Sequence, residues 1–141
     1  MENSTSPHLA QPYRLPRHII PTRYDLQLTP HLAQATFDGT VVIAANVLAQ
    51  APEIVLNAKA LTIHDVQVNG LDAHFWLHSE TERLVITPST AVETGTASIS
   101  ISFSGVLNDS LRGFYRSTYT DDNGAEQVIA ATQMQSTDCR Q

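Results

Sequence analysis

Two histidines four residues apart are the first candidates for chemistry in this sequence. His74 and His78 have the spacing of the H-E-x-x-H zinc helix, but Phe75 stands where that motif places its catalytic glutamate. The surrounding residues alternate as in a β-strand, where four residues span about 13 Å, too far for two ligands of one zinc ion. We therefore expect two imidazoles on the solvent-facing side of a strand.

Two other constellations could supply a base or a nucleophile. His64 and Asp65 are neighbours, and neighbours on a strand point to opposite faces, so the carboxylate is not expected to orient the imidazole. Cys139 stands beside Arg140, whose charge favours a thiolate, but the sequence offers it no base. The glycines are dispersed and form no phosphate-binding loop. We expect no catalytic and no metal-ligating residue in this chain.

Composition limits the classes of partner. The 141 residues are 42% hydrophobic and 16% charged, which suits one folded domain. A net charge of -6 with scattered basic residues argues against a nucleic-acid partner. No apolar run is long enough for a membrane span, the first residues do not resemble a secretory signal, and Cys139 is the only cysteine. These features favour a cytoplasmic protein with no membrane partner.

Period-two alternation predicts the elements that would position such residues. We expect a disordered tail over 1–12 and one all-β domain over 13–141, either a sandwich or a curved antiparallel or mixed sheet. Asn69-Gly70 and the stretch 121–124 predict hairpin turns. The expected strands are 23–28, 40–48, 54–56, 61–68, 73–78, 83–87, 97–104, 113–119 and 126–133. The residues expected on buried faces include Tyr24, Leu26, Leu28, Ala97, Ile99, Ile101 and Phe103.

Five motifs, in order along the chain, resemble the N-terminal domain of the aminopeptidase N and puromycin-sensitive aminopeptidase family. They are LPRHIIPTRYDL at 15–26, FDG at 37–39, LNAKALTI at 56–63, GFYRSTY at 113–119 and ATQMQSTDCR at 131–140. The resemblance implies a curved β-sheet saddle that packs against a thermolysin-like catalytic domain. That second domain would supply the H-E-x-x-H zinc motif and the G-x-M-E-N exopeptidase motif. Neither of these two motifs occurs in this sequence.

The resemblance also implies a substrate-binding role for two residues. In the family, a glutamine and an acid after the last strand help to hold the free α-amine of the peptide N-terminus. Gln133 corresponds to that glutamine, and Gln135 stands where most members have glutamate. Without the resemblance, both residues would be interpreted as alternate outward side chains of a final strand.

Three functions remain open from the sequence. The first is the structural and substrate-anchoring domain of a zinc aminopeptidase, inactive when alone. The second is a stand-alone β-sandwich that binds carbohydrate or protein. Trp76, which would share a strand face with His74 and His78, could offer a stacking surface for a carbohydrate. The third is a catalytically dead regulator that occupies a catalytic domain.

Overall fold

The computed structural model describes residues 14–134 and 138–140, so the predicted tail lies outside the described residues. The all-β prediction is confirmed, because these ranges contain ten strands, one short 3-10 turn at Asp138–Arg140 and no α-helix. Every pair of strands is antiparallel. The strands are β1 (Ile19–His31), β2 (Thr36–Val47), β3 (Ile54–Asn57), β4 (Leu61–Val68), β5 (Leu71–Asp72), β6 (His74–His78), β7 (Arg83–Thr87), β8 (Gly95–Val106), β9 (Gly113–Thr120) and β10 (Glu126–Gln133).

The core lies between two sheets. The larger sheet has the strand order β1-β2-β8-β4-β5, and the smaller has the order β3-β7-β6. Apolar side chains from the middle of both sheets form one buried cluster, as in a sandwich. Its members from the strands are Ile43, Val47, Ile54, Val66, Val68, Leu84, Ile86, Ala97, Ile99 and Ile101.

Strand β8 has the facing that its alternation predicts. Ala97, Ile99 and Ile101 are at most 6% exposed, and Phe103 packs against the cluster from its edge. On the opposite face, Ser98 is exposed and the following serines are half-buried. Because β8 lies between β2 and β4, its apolar face is flanked on both sides by other core residues.

Strand β1 forms, but the prediction that its apolar face is buried is wrong. Tyr24 and Leu26 are 59% and 58% exposed, and Leu28 is half-buried. They do lie on the core side of the sheet, since Tyr24 pairs with buried Ile43 and Leu26 pairs with Val41. The smaller sheet has three strands against five in the larger one, and Tyr24 and Leu26 of β1 remain exposed, whereas Ile19 at the start of the strand packs against the core. A mostly apolar cavity of about 380 Å³ opens beside Tyr24.

The Asn69-Gly70 turn is confirmed, whereas the strand after it differs from the prediction. Asn69 and Gly70 have φ angles of 52° and 81°, as a two-residue type I′ turn requires, and Val68 pairs with Leu71 across it. The predicted run 73–78 does not continue this hairpin. Only the two-residue β5 stays in the larger sheet, and β6 pairs with β7 in the smaller sheet. This crossover lets the chain build the second layer of the sandwich.

Candidate functional site

Of the two predicted substrate-binding residues, the structure describes Gln133, which lies at one end of a separate two-stranded sheet. Strands β9 and β10 pair with each other and with no other described strand. Gln133 is the last residue of β10, lies opposite Gly113 and has an exposed side chain. Gln135 lies outside the described residues. The structure therefore places Gln133 at the base of the hairpin, with the turn at the far end.

Three phenylalanine rings join the base of the hairpin to the larger sheet. Phe114 of β9 meets Phe37 of β2 edge to face, with ring centroids 5.0 Å apart, and Phe37 meets Phe103 at 6.4 Å. Aromatic pairs prefer this geometry at such distances. Since Phe114 lies opposite Thr132, the ring contacts hold the backbone that carries Gln133.

Two glycines make room for these rings. Gly39 lies opposite Phe103, and Gly105 lies opposite Phe37. A Cβ atom at Gly39 would lie 2.5 Å from two ring carbons of Phe103, and one at Gly105 would lie 2.5 Å from Phe37 Cζ. The rings therefore lie directly over glycine backbone in the neighbouring strand. This arrangement explains the Phe-Asp-Gly sequence at 37–39, because its phenylalanine covers one glycine and its glycine receives the other ring.

The loop between β8 and β9 holds the hairpin base through Asn108. The Asn108 side-chain nitrogen donates to the Arg112 carbonyl at 3.0 Å, and its side-chain oxygen accepts from the Ser110 backbone N–H at 2.8 Å. Its main-chain carbonyl accepts from the N–H of Arg116 at 3.0 Å. Arg116 Nε also donates to Asp109 Oδ1 at 2.9 Å. The loop is thus bonded to β9 from both its side chains and its backbone.

The far end of the hairpin is closed by Asp121. Its carboxylate accepts from the backbone N–H groups of Asn123 and Ala125 at 2.9 and 3.0 Å and from Gln127 Nε2 at 3.0 Å. These bonds favour the charged form, so the pKa of Asp121 is lowered, mainly by the Ala125 N–H and then by the Gln127 amide. The predicted turn at 121–124 is confirmed, and its charge lies at the opposite end of the hairpin from Gln133.

The histidines of β6 lie on a strand, as predicted. His74 is exposed, whereas His78 Nδ1 accepts from the Thr81 backbone N–H at 3.3 Å. The 43% exposed Trp76 ring meets the His78 ring edge to face, with centroids 5.4 Å apart. Within 14–134 and 138–140, no group of three or more His, Cys, Asp or Glu side chains could hold a metal ion. The described residues therefore do not fit a zinc centre, and we assign no step to a metal in this chain.

A β-bulge overturns the expectation that His64 and Asp65 point to opposite faces. The pairing of β4 with β8 shifts register between Ile63 and Asp65, which makes His64 the extra residue. Asp65 lies opposite Ser102, and His64 Nε2 lies 2.8 Å from Ser104 Oγ. Both neighbours therefore lie on the serine face of the larger sheet. Alternation alone could not reveal the inserted residue.

A buried arginine is the charged residue that the sequence did not reveal. Arg83 is 2% exposed, and its Nη2 donates to the Arg14 carbonyl oxygen at 3.1 Å. It thereby ties the segment that leads into β1 to strand β7. Its position at the start of an apolar run resembles an ordinary polar boundary, which gave no indication of burial. Cys139, the other candidate for chemistry, is exposed in the 3-10 turn.

Comparison with known proteins identifies the family of this β-domain. Residues 20–141 match the Peptidase M1 N-terminal domain family. The chain belongs to this family. It is 40% identical over 136 residues to Aminopeptidase M1 of Arabidopsis thaliana and 35% identical over 133 residues to Puromycin-sensitive aminopeptidase of Caenorhabditis elegans, with 90% of the chain covered in each.

The M1 N-terminal domain also matches the Alanine/arginine aminopeptidase of Saccharomyces cerevisiae, at 33% identity over 132 residues and 89% of the chain. In length, the chain spans about 15% of these curated relatives. The resemblance deduced from the five motifs is therefore confirmed. None of the described elements of this M1 domain is a helix with the length and apolar character of a membrane span.

Proposed function

We propose that this M1 domain is the N-terminal structural and substrate-anchoring part of a zinc aminopeptidase that removes N-terminal residues from peptides. The observation that carries the proposal is the position of Gln133, exposed at the base of a hairpin that the Phe37, Phe103 and Phe114 rings attach to the core. The curated relatives are named as aminopeptidases and are about six times as long as this chain, which supports a catalytic partner domain in the same polypeptide.

The chemistry proposed for this chain is binding alone. A peptide N-terminus is an ammonium group with N–H donors, and a glutamine side-chain oxygen can accept one of them. Gln133 and Gln135 would each offer such an oxygen, and the chain would orient the amine without taking part in bond cleavage. Zinc in the catalytic domain would polarise the scissile carbonyl and activate water. The described residues supply no ligand set for it.

We also propose the binding partners and the cellular location of the domain. Its partners would be the thermolysin-like catalytic domain and the N-terminus of a peptide. The single cysteine and the acidic composition, with a net charge of -6, support a cytoplasmic setting without a nucleic-acid partner.

A domain exchange tests this proposal. The segment of Arabidopsis Aminopeptidase M1 that matches this chain, about 15% of that protein, would be replaced by this chain, and hydrolysis of aminoacyl substrates would be measured. We expect an active hybrid that prefers a free amine to an N-acetylated substrate. A folded hybrid with bound zinc and no aminopeptidase activity would contradict the proposal.

A further inference from the structure

Asn108 joins the packed core to the hairpin that carries Gln133. The preceding residue, Leu107, is 2% exposed, and its N–H donates to the Ala35 carbonyl at 2.8 Å. Asn108 itself forms a one-residue parallel bridge with Tyr115 of β9. The buried leucine therefore fixes the backbone of Asn108 against the turn between β1 and β2, and the bridge fixes β9 against Asn108.

The side chain of Asn108 reaches the residue that precedes the partner of Gln133. Its Nδ2 donates to the Arg112 carbonyl at 3.0 Å. Arg112 is followed by Gly113, whose φ of 65° lies in the left-handed region that favours glycine. Gly113 lies opposite Gln133 at the base of the hairpin. The carboxamide thus fixes the chain at the point where it turns into the residue that pairs with Gln133.

The alternation of the hairpin makes Gly113 and Gln133 a hydrogen-bonded pair. At the far end, the Asp121 N–H donates to the Ala125 carbonyl at 2.9 Å, and bonded pairs alternate with non-bonded pairs along an antiparallel ladder. Every second residue from Asp121 back to Gly113 therefore faces β10. Arg116 agrees with this phase, because its N–H points away from β10. A displacement of Gly113 is thus passed to the Gln133 backbone.

We propose that Asn108 is a positioning residue for the peptide amine and acts through Gln133. This inference rests on the proposed substrate-anchoring function. A hydrogen bond weakens steeply as its distance and angle depart from the preferred geometry, so the Gln133 oxygen must be held in place to accept from an ammonium group. Gln133 itself would bind the amine, and Asn108 would hold the backbone from which that side chain extends.

The contacts of Asn108 explain why this position needs a carboxamide. Asparagine carries a donor and an acceptor on separate atoms of one short side chain. The donor serves the Arg112 carbonyl, and Oδ1 accepts from the Ser110 backbone N–H at 2.8 Å. Aspartate would keep the bond from Ser110, but it would lose the donor and present a carboxylate oxygen to the Arg112 carbonyl. Alanine would lose both bonds.

The hybrid enzyme of the domain exchange tests this role with an aminoacyl p-nitroanilide and its N-acetylated form. Asn108→Ala and Asn108→Asp should each lower kcat/KM for the free-amine substrate by about three- to tenfold, the scale of one neutral hydrogen bond. The N-acetylated substrate should be unaffected. In a Gln133→Ala background, neither substitution should cause a further loss, because the group through which Asn108 acts is already absent. A merely structural defect would instead lower the rates of both substrates in both backgrounds.

The matched controls are Asn69→Ala and Asn69→Asp. Asn69 Oδ1 accepts from the Ser98 N–H at 2.9 Å at the turn between β4 and β5, so the controls change a similar bond away from the hairpin. They should leave kcat/KM unchanged. Bound zinc and circular dichroism would verify the fold of each hybrid, and Asn108→Asp, which is nearly isosteric, provides the comparison if Asn108→Ala does not fold.

The outcomes separate the two proposals. Gln133→Ala may lower kcat/KM for the free-amine substrate while the Asn108 variants do not, or the losses may add in the double variants. Either result would overturn the positioning role and leave the anchoring role of Gln133 standing. A Gln133→Ala hybrid with unchanged kcat/KM for the free-amine substrate would overturn both.

Discussion

At the scale of single residues, the proposed binding role depends on which hydrogen-bonding groups a side chain can offer. Gln133 has an amide oxygen that can accept from an ammonium group, but it carries no charge. A carboxylate at Gln135 would add a charge-assisted bond, roughly twice as strong as a neutral one. The binding of a peptide amine by two glutamines is therefore expected to be weaker than binding by a glutamine and a glutamate.

The first prediction applies this difference in the hybrid enzyme described above. Gln133→Ala should lower kcat/KM for free-amine peptides, because it removes an acceptor without replacement. The loss of transition-state stabilisation should be about 1–2 kcal/mol. Gln135→Glu should raise it by a similar amount. N-acetylated peptides lack the ammonium charge and serve as the control substrate, which should gain nothing from Gln135→Glu. An unchanged kcat/KM in both variants would mean that this segment does not contact the amine.

The contact between Gly39 and Phe103 leads to a second prediction at this scale. Gly39→Ala places a methyl group 2.5 Å from the Phe103 ring and should lower the free energy of unfolding by about 1–3 kcal/mol. In the double variant with Phe103→Leu, the smaller side chain leaves space for the methyl group. The double variant should therefore lose less free energy of unfolding than the two single variants lose together. Chemical denaturation of the four proteins measures the coupling. Strict additivity would show that the methyl group clashes with another atom.

At the scale of strands, alternation identified most of the elements and the facing of β8. Alternation does not show which face of a sheet is covered by a second layer. For this reason Tyr24 and Leu26 were predicted to be buried, although both are exposed. It also could not locate the residue inserted at His64, because a bulge preserves the composition of the strand while changing its facing. The place of β6 in the second sheet likewise depends on long-range pairing.

The facing of β8 predicts unequal effects of two neighbouring substitutions. Ile101→Ser removes a side chain that is 6% exposed and leaves a hydroxyl in the core, so it should destabilise the fold by several kcal/mol. Ser100→Thr, on the opposite face, should be nearly neutral. Thermal melting followed by circular dichroism compares them. Equal shifts in Tm would contradict the assigned facing.

The turn of the β9–β10 hairpin predicts a dependence on pH. The pKa of Asp121 is lowered in the folded chain, so its contribution to stability is present above the unfolded pKa of about 4 and disappears as pH falls through the folded value. Asp121→Asn keeps the acceptor oxygen but loses the charge. Wild type should therefore protect the hairpin amides better than the variant near neutral pH, and the two should converge in acid. Hydrogen exchange at several pH values measures this, and a pH-independent difference would contradict it.

At the scale of the whole molecule, the described residues form a packed core and include no group of His, Cys, Asp or Glu side chains that could hold a metal ion. Catalytic zinc requires three protein ligands that converge on one point. The 141-residue chain alone should therefore bind no stoichiometric zinc and should not hydrolyse aminoacyl chromogenic substrates. Metal analysis and a rate measurement test this together. Stoichiometric zinc with activity that a chelator abolishes would contradict it.

The pairing of β2 with β8 also determines when this domain can fold during synthesis. The β1–β2 hairpin can form once residue 47 has left the ribosome, but the other edge of β2 pairs with β8 only when residues 95–106 have emerged. Val47 and its partner Gly95 are separated by about 50 residues, which translation at roughly 5–20 residues per second delivers in about 3–10 s. During that interval, the edge of β2 that pairs with β8 in the folded domain has no partner strand, so a nascent chain stalled before β8 would present an open strand edge suited to chaperone binding.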